Sequence, residues 1–132
     1  MLLIKTYVAQ SKIAGSGLFA SQSVSLGTIV WQFNPKIDFV FSLEEWAGIE
    51  KTLPTFQRDR FRQLGATHQG RFILCVDGTQ YINHSDDQFN LQGDKAYATE
   101  YRACRNIHKD EELLLNYFDH FSAEDIGCLR NG

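Results

Sequence analysis

Cysteine is scarce and poorly placed for any covalent or metal framework. The three thiols, Cys75, Cys104 and Cys128, are an odd number without a C-x-x-C spacing. That argues against a disulfide scaffold and against a cysteine-built zinc cluster, and it suits a reducing compartment. Histidine offers no metal site either, because His68, His84, His108 and His120 show no ligand spacing. No apolar run approaches the ~20 residues needed to cross a bilayer. The run from Met1 to Ala9 contains Lys5 and is too short for a signal peptide's apolar core plus cleavage site, so it reads as a strand. Excess charge is also missing. A net charge of −3 exerts little pull on nucleic acid, which demands clustered Lys and Arg, and it suits a basic partner better. Repeats, low-complexity tracts and linkers are absent, so the 132 residues are expected to form one domain. The expectation from these absences is a cytoplasmic globular domain with no metal and no direct contact with nucleic acid or membrane.

Aromatic residues are what the chain has in quantity: ten Phe, five Tyr and two Trp. In a small domain this points to a core plus one aromatic-lined cleft. Most segments read as short strands. Leu2 to Val8 opens the chain, Thr28 to Phe33 is the strongest candidate, and Pro35 stops it before a further strand from Ile37 to Phe41. Ser42 followed by Glu44 and Glu45 predicts a helix start. Phe56, Arg60, Phe61 and Leu64 fall at helical spacing and predict a second helix from about Thr55 to Leu64, closed by Gly65. Asp77-Gly78, between Phe72–Val76 and Thr79–Ile82, predicts a hairpin. Ala96 to Cys104 and Glu112 to Asn116 are the last strands, and Ser122 can cap a final helical turn.

Three segments carry chemistry. Gly15-Ser16-Gly17-Leu18-Phe19-Ala20 is a glycine turn running into a strand, without the third glycine of a dinucleotide fingerprint. Tyr81-Ile82-Asn83-His84-Ser85 follows in the middle of the chain. Glu111-Glu112-Leu113-Leu114-Leu115-Asn116-Tyr117 comes about thirty residues later. In this order they resemble the signature segments of the SET domain, a family that transfers methyl groups from S-adenosylmethionine to protein lysines. The resemblance spans about residues 4 to 121. It implies a mainly β, β-clip fold with two or three short helices and a knot-like threading of the C-terminal segment. The 132 residues would be one SET domain, with a variable insert at about 35–70 and a closing segment at about 118–132.

The resemblance also implies roles. Ser16, Gly17, Leu18, Asn83, His84, Tyr117 and Phe118 would hold the cofactor, with the turn's backbone approaching it closely. Tyr117 would be the catalytic residue. Phe33, Leu115 and Phe121 would wall the channel for the lysine of a basic protein substrate. His84 is given no proton-transfer role. The chain departs from the family at several positions. Gln80 stands where an arginine is usual, and Asp86 to Phe89 replace a cysteine–proline end, with one extra residue before Asn90. Leu115 stands where some members have Phe or Tyr, and after Tyr117 these 132 residues carry one cysteine, Cys128, where many members have a cysteine-rich zinc knot. These departures keep open an alternative, a SET-like module that binds a protein or peptide without transferring methyl groups. So small a frame is also compatible with two copies pairing to complete the substrate site.

Overall fold

The computed structural model describes residues 1–94 and 99–120. Within them the chain runs β1 (Thr6–Gln10), β2 (Ser16–Ala20), β3 (Ile29–Gln32), β4 (Phe39–Ser42), α1 (Leu43–Glu50), α2 (Thr55–Leu64), β5 (Ala66–His68), β6 (Arg71–Leu74), a 3-10 turn (Thr79–Tyr81), β7 (Asn83–His84), β8 (Leu91–Gly93), β9 (Glu100–Ala103), β10 (Leu114–Leu115) and α3 (Tyr117–His120). The mainly β expectation with short helices holds. The knot-like threading turns on a closing segment whose residues from 121 onward, Phe121 and the Ser122 cap among them, lie outside the described residues.

Three sheets assemble the described residues. β1 and β2 form an antiparallel pair with Thr6 opposite Ala20 and Gln10 opposite Ser16. The central sheet has the order β3-β9-β8-β10-β7, and β4-β6-β5 make a third. β10 lies between β7 and β8, parallel to both, with Leu114 opposite Asn83 and Leu115 opposite both His84 and Leu91. The third motif is thereby inserted beside the second. Leu18, Val30, Leu91, Ile107 and Leu113 are no more than 1% exposed and anchor one core drawn from both halves of the chain. Each contributes about 1.5–3 kcal/mol by leaving water.

The region expected as an insert supplies β4, β5 and two helices, and β6, just past residue 70, completes their sheet. Ser42 caps α1 as predicted. Its hydroxyl accepts from the Glu45 amide at 3.0 Å, and the Glu45 carboxylate accepts from the Ser42 amide, a closed capping box. α2 occupies the predicted Thr55–Leu64, and Gly65 N–H closes it on the Phe61 carbonyl at 2.8 Å. Trp46 of α1 stacks on Phe72 of β6 at 4.0 Å, joining helix to sheet.

The hairpin predicted at Asp77-Gly78 is not there. Asp77 instead accepts from the Thr79 hydroxyl at 2.6 Å and from the Leu2 amide at 2.7 Å, and Gly78 takes φ 109° ahead of the 3-10 turn. Burial works against the Asp77 charge, but these hydrogen bonds outweigh it and hold the carboxyl below the usual range. The side chain thus competes successfully with strand pairing. The real hairpin joins β5 to β6 through Gln69-Gly70, with φ values of 49° and 72°. Two consecutive positive φ values are what a two-residue hairpin needs. The opening strand also starts later than expected, at Thr6, because Leu2 is diverted into a bridge with Trp31.

Candidate functional site

The glycine turn, Asn83 and Glu112 form one hydrogen-bonded junction. Asn83 Nδ2 donates to the carbonyls of Ala14 and Ser16, both at 3.1 Å, and to Glu112 Oε1 at 3.0 Å. Glu112 Oε2 accepts from the Ser11 hydroxyl at 3.0 Å. Ser11 Oγ in turn accepts from the amides of Ile13 and Ala14 and so shapes the turn. Gly17 lies under the carboxylate. A Cβ there would sit 2.2 Å from Glu112 Oε1 and 2.9 Å from its Cδ. The room left by this glycine is therefore filled by the chain's own Glu112. Behind it, Leu18 is fully buried and its carbonyl accepts from the Leu113 amide at 2.7 Å, tying the first motif to the third. Ser16 is exposed at the head of β2.

The second and third motifs meet again at Tyr117. The Tyr117 amide donates to His84 Nδ1 at 3.0 Å, which makes that nitrogen an acceptor and places the ring's proton on Nε2. His84 thus positions the first residue of α3. Its ring also meets Phe118 edge-on at 5.1 Å, and Phe118 is exposed. The Tyr117 hydroxyl donates to the Ile82 carbonyl. A phenol whose proton is committed can serve a further group only as an acceptor.

Tyr117 belongs to the wall of a cavity of about 70 Å³. Its apolar surround is made by Trp31, Ile73, Ile82, Tyr101 and Leu115, with Cys75, Thr79 and Gln80 adding polar atoms. Trp31 and Tyr101 face one another across β3 and β9 and stack at 4.7 Å. Burial raises the Tyr117 phenol to about 12. Burial, followed by the Asp38 and Asp77 charges, raises the Cys75 thiol to about 12 as well. Burial raises the Tyr101 phenol too. The described wall contains no carboxylate and no histidine, and its titratable groups are neutral at ordinary pH.

Of the residues singled out from sequence, the structure brings Tyr117, Leu115, His84 and Phe118 together, and joins Asn83 to Ser16 and Gly17 through the Glu112 junction. Phe33 packs on the core and is not among the cavity's wall residues. Trp31, Tyr101 and Cys75 take the wall instead. Sequence reasoning passed over them because strand register decides which face a residue joins. Asn90 was also passed over. It is 1% exposed, its Nδ2 donates to the Glu112 carbonyl at 2.8 Å, and its Oδ1 accepts from the Leu114 amide at 2.8 Å. The extra residue before it is absorbed in the Ser85–Phe89 loop, where Ser85 Oγ accepts from the Gln88 amide at 2.9 Å.

Solved structures share this architecture. One is ctPRC2 in an autoinhibited conformation bound to S-adenosylmethionine, with TM-score 0.67 and 20% identity over 97% of this chain. A humanized mutant of the Chaetomium thermophilum Polycomb Repressive Complex 2 gives TM-score 0.63 and 22% identity over 89%. A Plasmodium falciparum protein described as a candidate histone methyltransferase gives TM-score 0.57 and 20% identity over 88%. The chain spans 17% and 15% of the two Polycomb chains and 95% of the Plasmodium one. At these identities the likeness establishes the fold. No curated protein matches the chain significantly. The SET domain family model matches residues 15–118, which include all three motifs. The chain belongs to the SET-domain family.

Proposed function

We propose that this chain is a protein-lysine methyltransferase that uses S-adenosylmethionine and acts on a lysine of a basic protein. One observation supports this most: a small cavity walled by Trp31, Tyr101 and Tyr117 lies beside the same short β7–β10 pairing that also places Asn83 at the glycine turn. A lysine side chain is a long apolar stem with one polar tip, which suits a mostly apolar cavity with a few polar atoms in its wall.

The residues also fit the cofactor's chemistry. Asn83 Nδ2 is occupied by oxygens, whereas Oδ1 accepts no bond among the described residues and is not sealed from water. An outward acceptor suits the amino group of the cofactor's amino-acid end, and the exposed Phe118 ring beside His84 suits its adenine. S-adenosylmethionine supplies a methyl group on a positively charged sulfur, ready for in-line displacement. The chain's task is then alignment and desolvation. The apolar wall disfavours a charged lysine, whose ordinary pKa is about 10.4. With no base among the described wall residues, the proton leaves to solvent. Tyr117, its own proton held by Ile82, accepts from the amine N–H and turns the nitrogen lone pair toward the methyl group.

Calorimetric titration with S-adenosylmethionine, combined with transfer of labelled methyl groups into a lysate of the source cells, tests the reading. Binding and one or more labelled proteins are expected. Tyr117→Phe should retain binding and lose transfer on the order of 100-fold, the cost of lost alignment. Binding without any transfer would favour the peptide-binding alternative, and no binding would remove the enzyme reading.

A further inference from the structure

An asparagine amide has a donor end and an acceptor end of nearly equal shape, and its surroundings decide which way it faces. Around Asn83 Nδ2 stand three oxygens: the carbonyls of Ala14 and Ser16 and the Glu112 carboxylate. A flipped amide would set Oδ1 against all three. The carboxylate is the strongest of them, since a hydrogen bond to a charged acceptor is roughly twice as strong as a neutral one. It is also held in place. Ser11 braces its second oxygen, and Gly17 provides the space in which it lies. On the far side, Oδ1 accepts no bond among the described residues and is not sealed from water.

We propose that Glu112 is a positioning residue that locks the Asn83 amide with Oδ1 outward, and thereby makes the cofactor site selective for a ligand carrying a protonated amine. The inference rests on the cofactor reading given above. It assigns Glu112 a role through Asn83 rather than contact with the ligand. Two features distinguish it from a simple structural brace. The effect must depend on the ligand's amine, and it must depend on the reach of the carboxylate rather than on local charge alone.

The test compares two ligands, S-adenosylhomocysteine and its deaminated analogue, by calorimetry on the full chain. Glu112→Gln preserves volume but removes the charged acceptor and can turn its own NH2 toward Asn83, which leaves only the two neutral carbonyls of Ala14 and Ser16 to hold the amide. It should weaken S-adenosylhomocysteine binding about tenfold and change the analogue's affinity less than about twofold. Glu112→Asp keeps the charge but draws it back by one methylene, and should lose the same selectivity. Urea denaturation of the ligand-free variants verifies that they are folded. Equal losses for both ligands, or no loss for either, would overturn the proposal, as would full selectivity in Glu112→Asp. If the unaltered protein bound neither ligand, the cofactor reading itself would fall and the proposal with it. Binding by the unaltered protein with selectivity unchanged in Glu112→Gln would overturn the proposal alone.

Discussion

Replacing Gly17 with alanine adds one methyl group at a point where the structure has already placed a carboxylate. The new Cβ would lie 2.2 Å from Glu112 Oε1, 2.9 Å from its Cδ and 3.1 Å from Ser11 Cβ. Gly17 does not have a positive φ, so the backbone itself accepts alanine. The obstacle is the tip of a flexible side chain, and a flexible side chain can swing aside. The cost therefore lies mostly in what Glu112 abandons: hydrogen bonds to the Asn83 amide and the Ser11 hydroxyl. Bonds to a charged group contribute about 1.5–3 kcal/mol each. Glu112 is half-buried, so water recovers part of that. A net loss of about 2–4 kcal/mol follows. For a domain of this size that corresponds to roughly 8–15 °C in Tm. Urea denaturation of Gly17→Ala, Glu112→Ala and the double variant measures it. In the Glu112→Ala background the added methyl has room, and its cost should fall below about 1 kcal/mol. An undiminished cost in that background would refute the reasoning, and so would a single-variant loss within the ~0.5 kcal/mol typical of neutral substitutions.

Asn90→Ala should destabilise the fold by about 2–4 kcal/mol, because it leaves the Glu112 carbonyl and the Leu114 amide without their buried partner; denaturant titration gives the value, and a loss below 1 kcal/mol contradicts that account. Gly65→Ala would put a Cβ 2.1 Å from Cζ of Phe72, whose ring is pinned against Trp46. A loss of about 1–3 kcal/mol with an altered Trp46 near-ultraviolet signal is expected, and an unchanged signal argues against the pinned ring. The Tyr117 phenol has its pKa raised from 10.0 to about 12. Below pH 10 it is protonated in both folded and unfolded chains, so its contribution is fully present there and is lost as pH rises toward 12. The alkaline stability profile of Tyr117→Phe should be correspondingly flatter, and identical profiles would contradict the burial of the phenol.

Local signals were legible wherever one segment settled its own conformation. Ser42 with Glu44 and Glu45 announced the start of α1, and Phe56, Arg60, Phe61 and Leu64 announced α2. The paired motifs announced the family, although each motif alone is an ordinary turn or strand. What escaped was decided by partners distant in sequence. Asp77-Gly78 has the composition of a hairpin, but the Leu2 amide, 75 residues away, recruits its carboxylate. The cavity wall is set by the register of β3 on β9, which places Trp31 opposite Tyr101. Asn90 and Glu112 read as a loop residue and an acidic turn, and only the insertion of β10 shows that one clamps the strand and the other fills the space beside Gly17.

That insertion bears on when the site comes into being. β10 is two residues long and has no hairpin neighbour; the strands on either side of it end or begin more than twenty residues earlier in the chain. A strand so short cannot persist alone, so loop-closure entropy must be met before any of its pairings form. During synthesis β7 and β8 therefore wait with open edges until residues 114 and 115 arrive. Asn83, Tyr117 and the cavity acquire their final relation in that same closing event. Recovery of cofactor binding in a refolding experiment should accordingly track the slowest folding phase, after most of the secondary structure has returned.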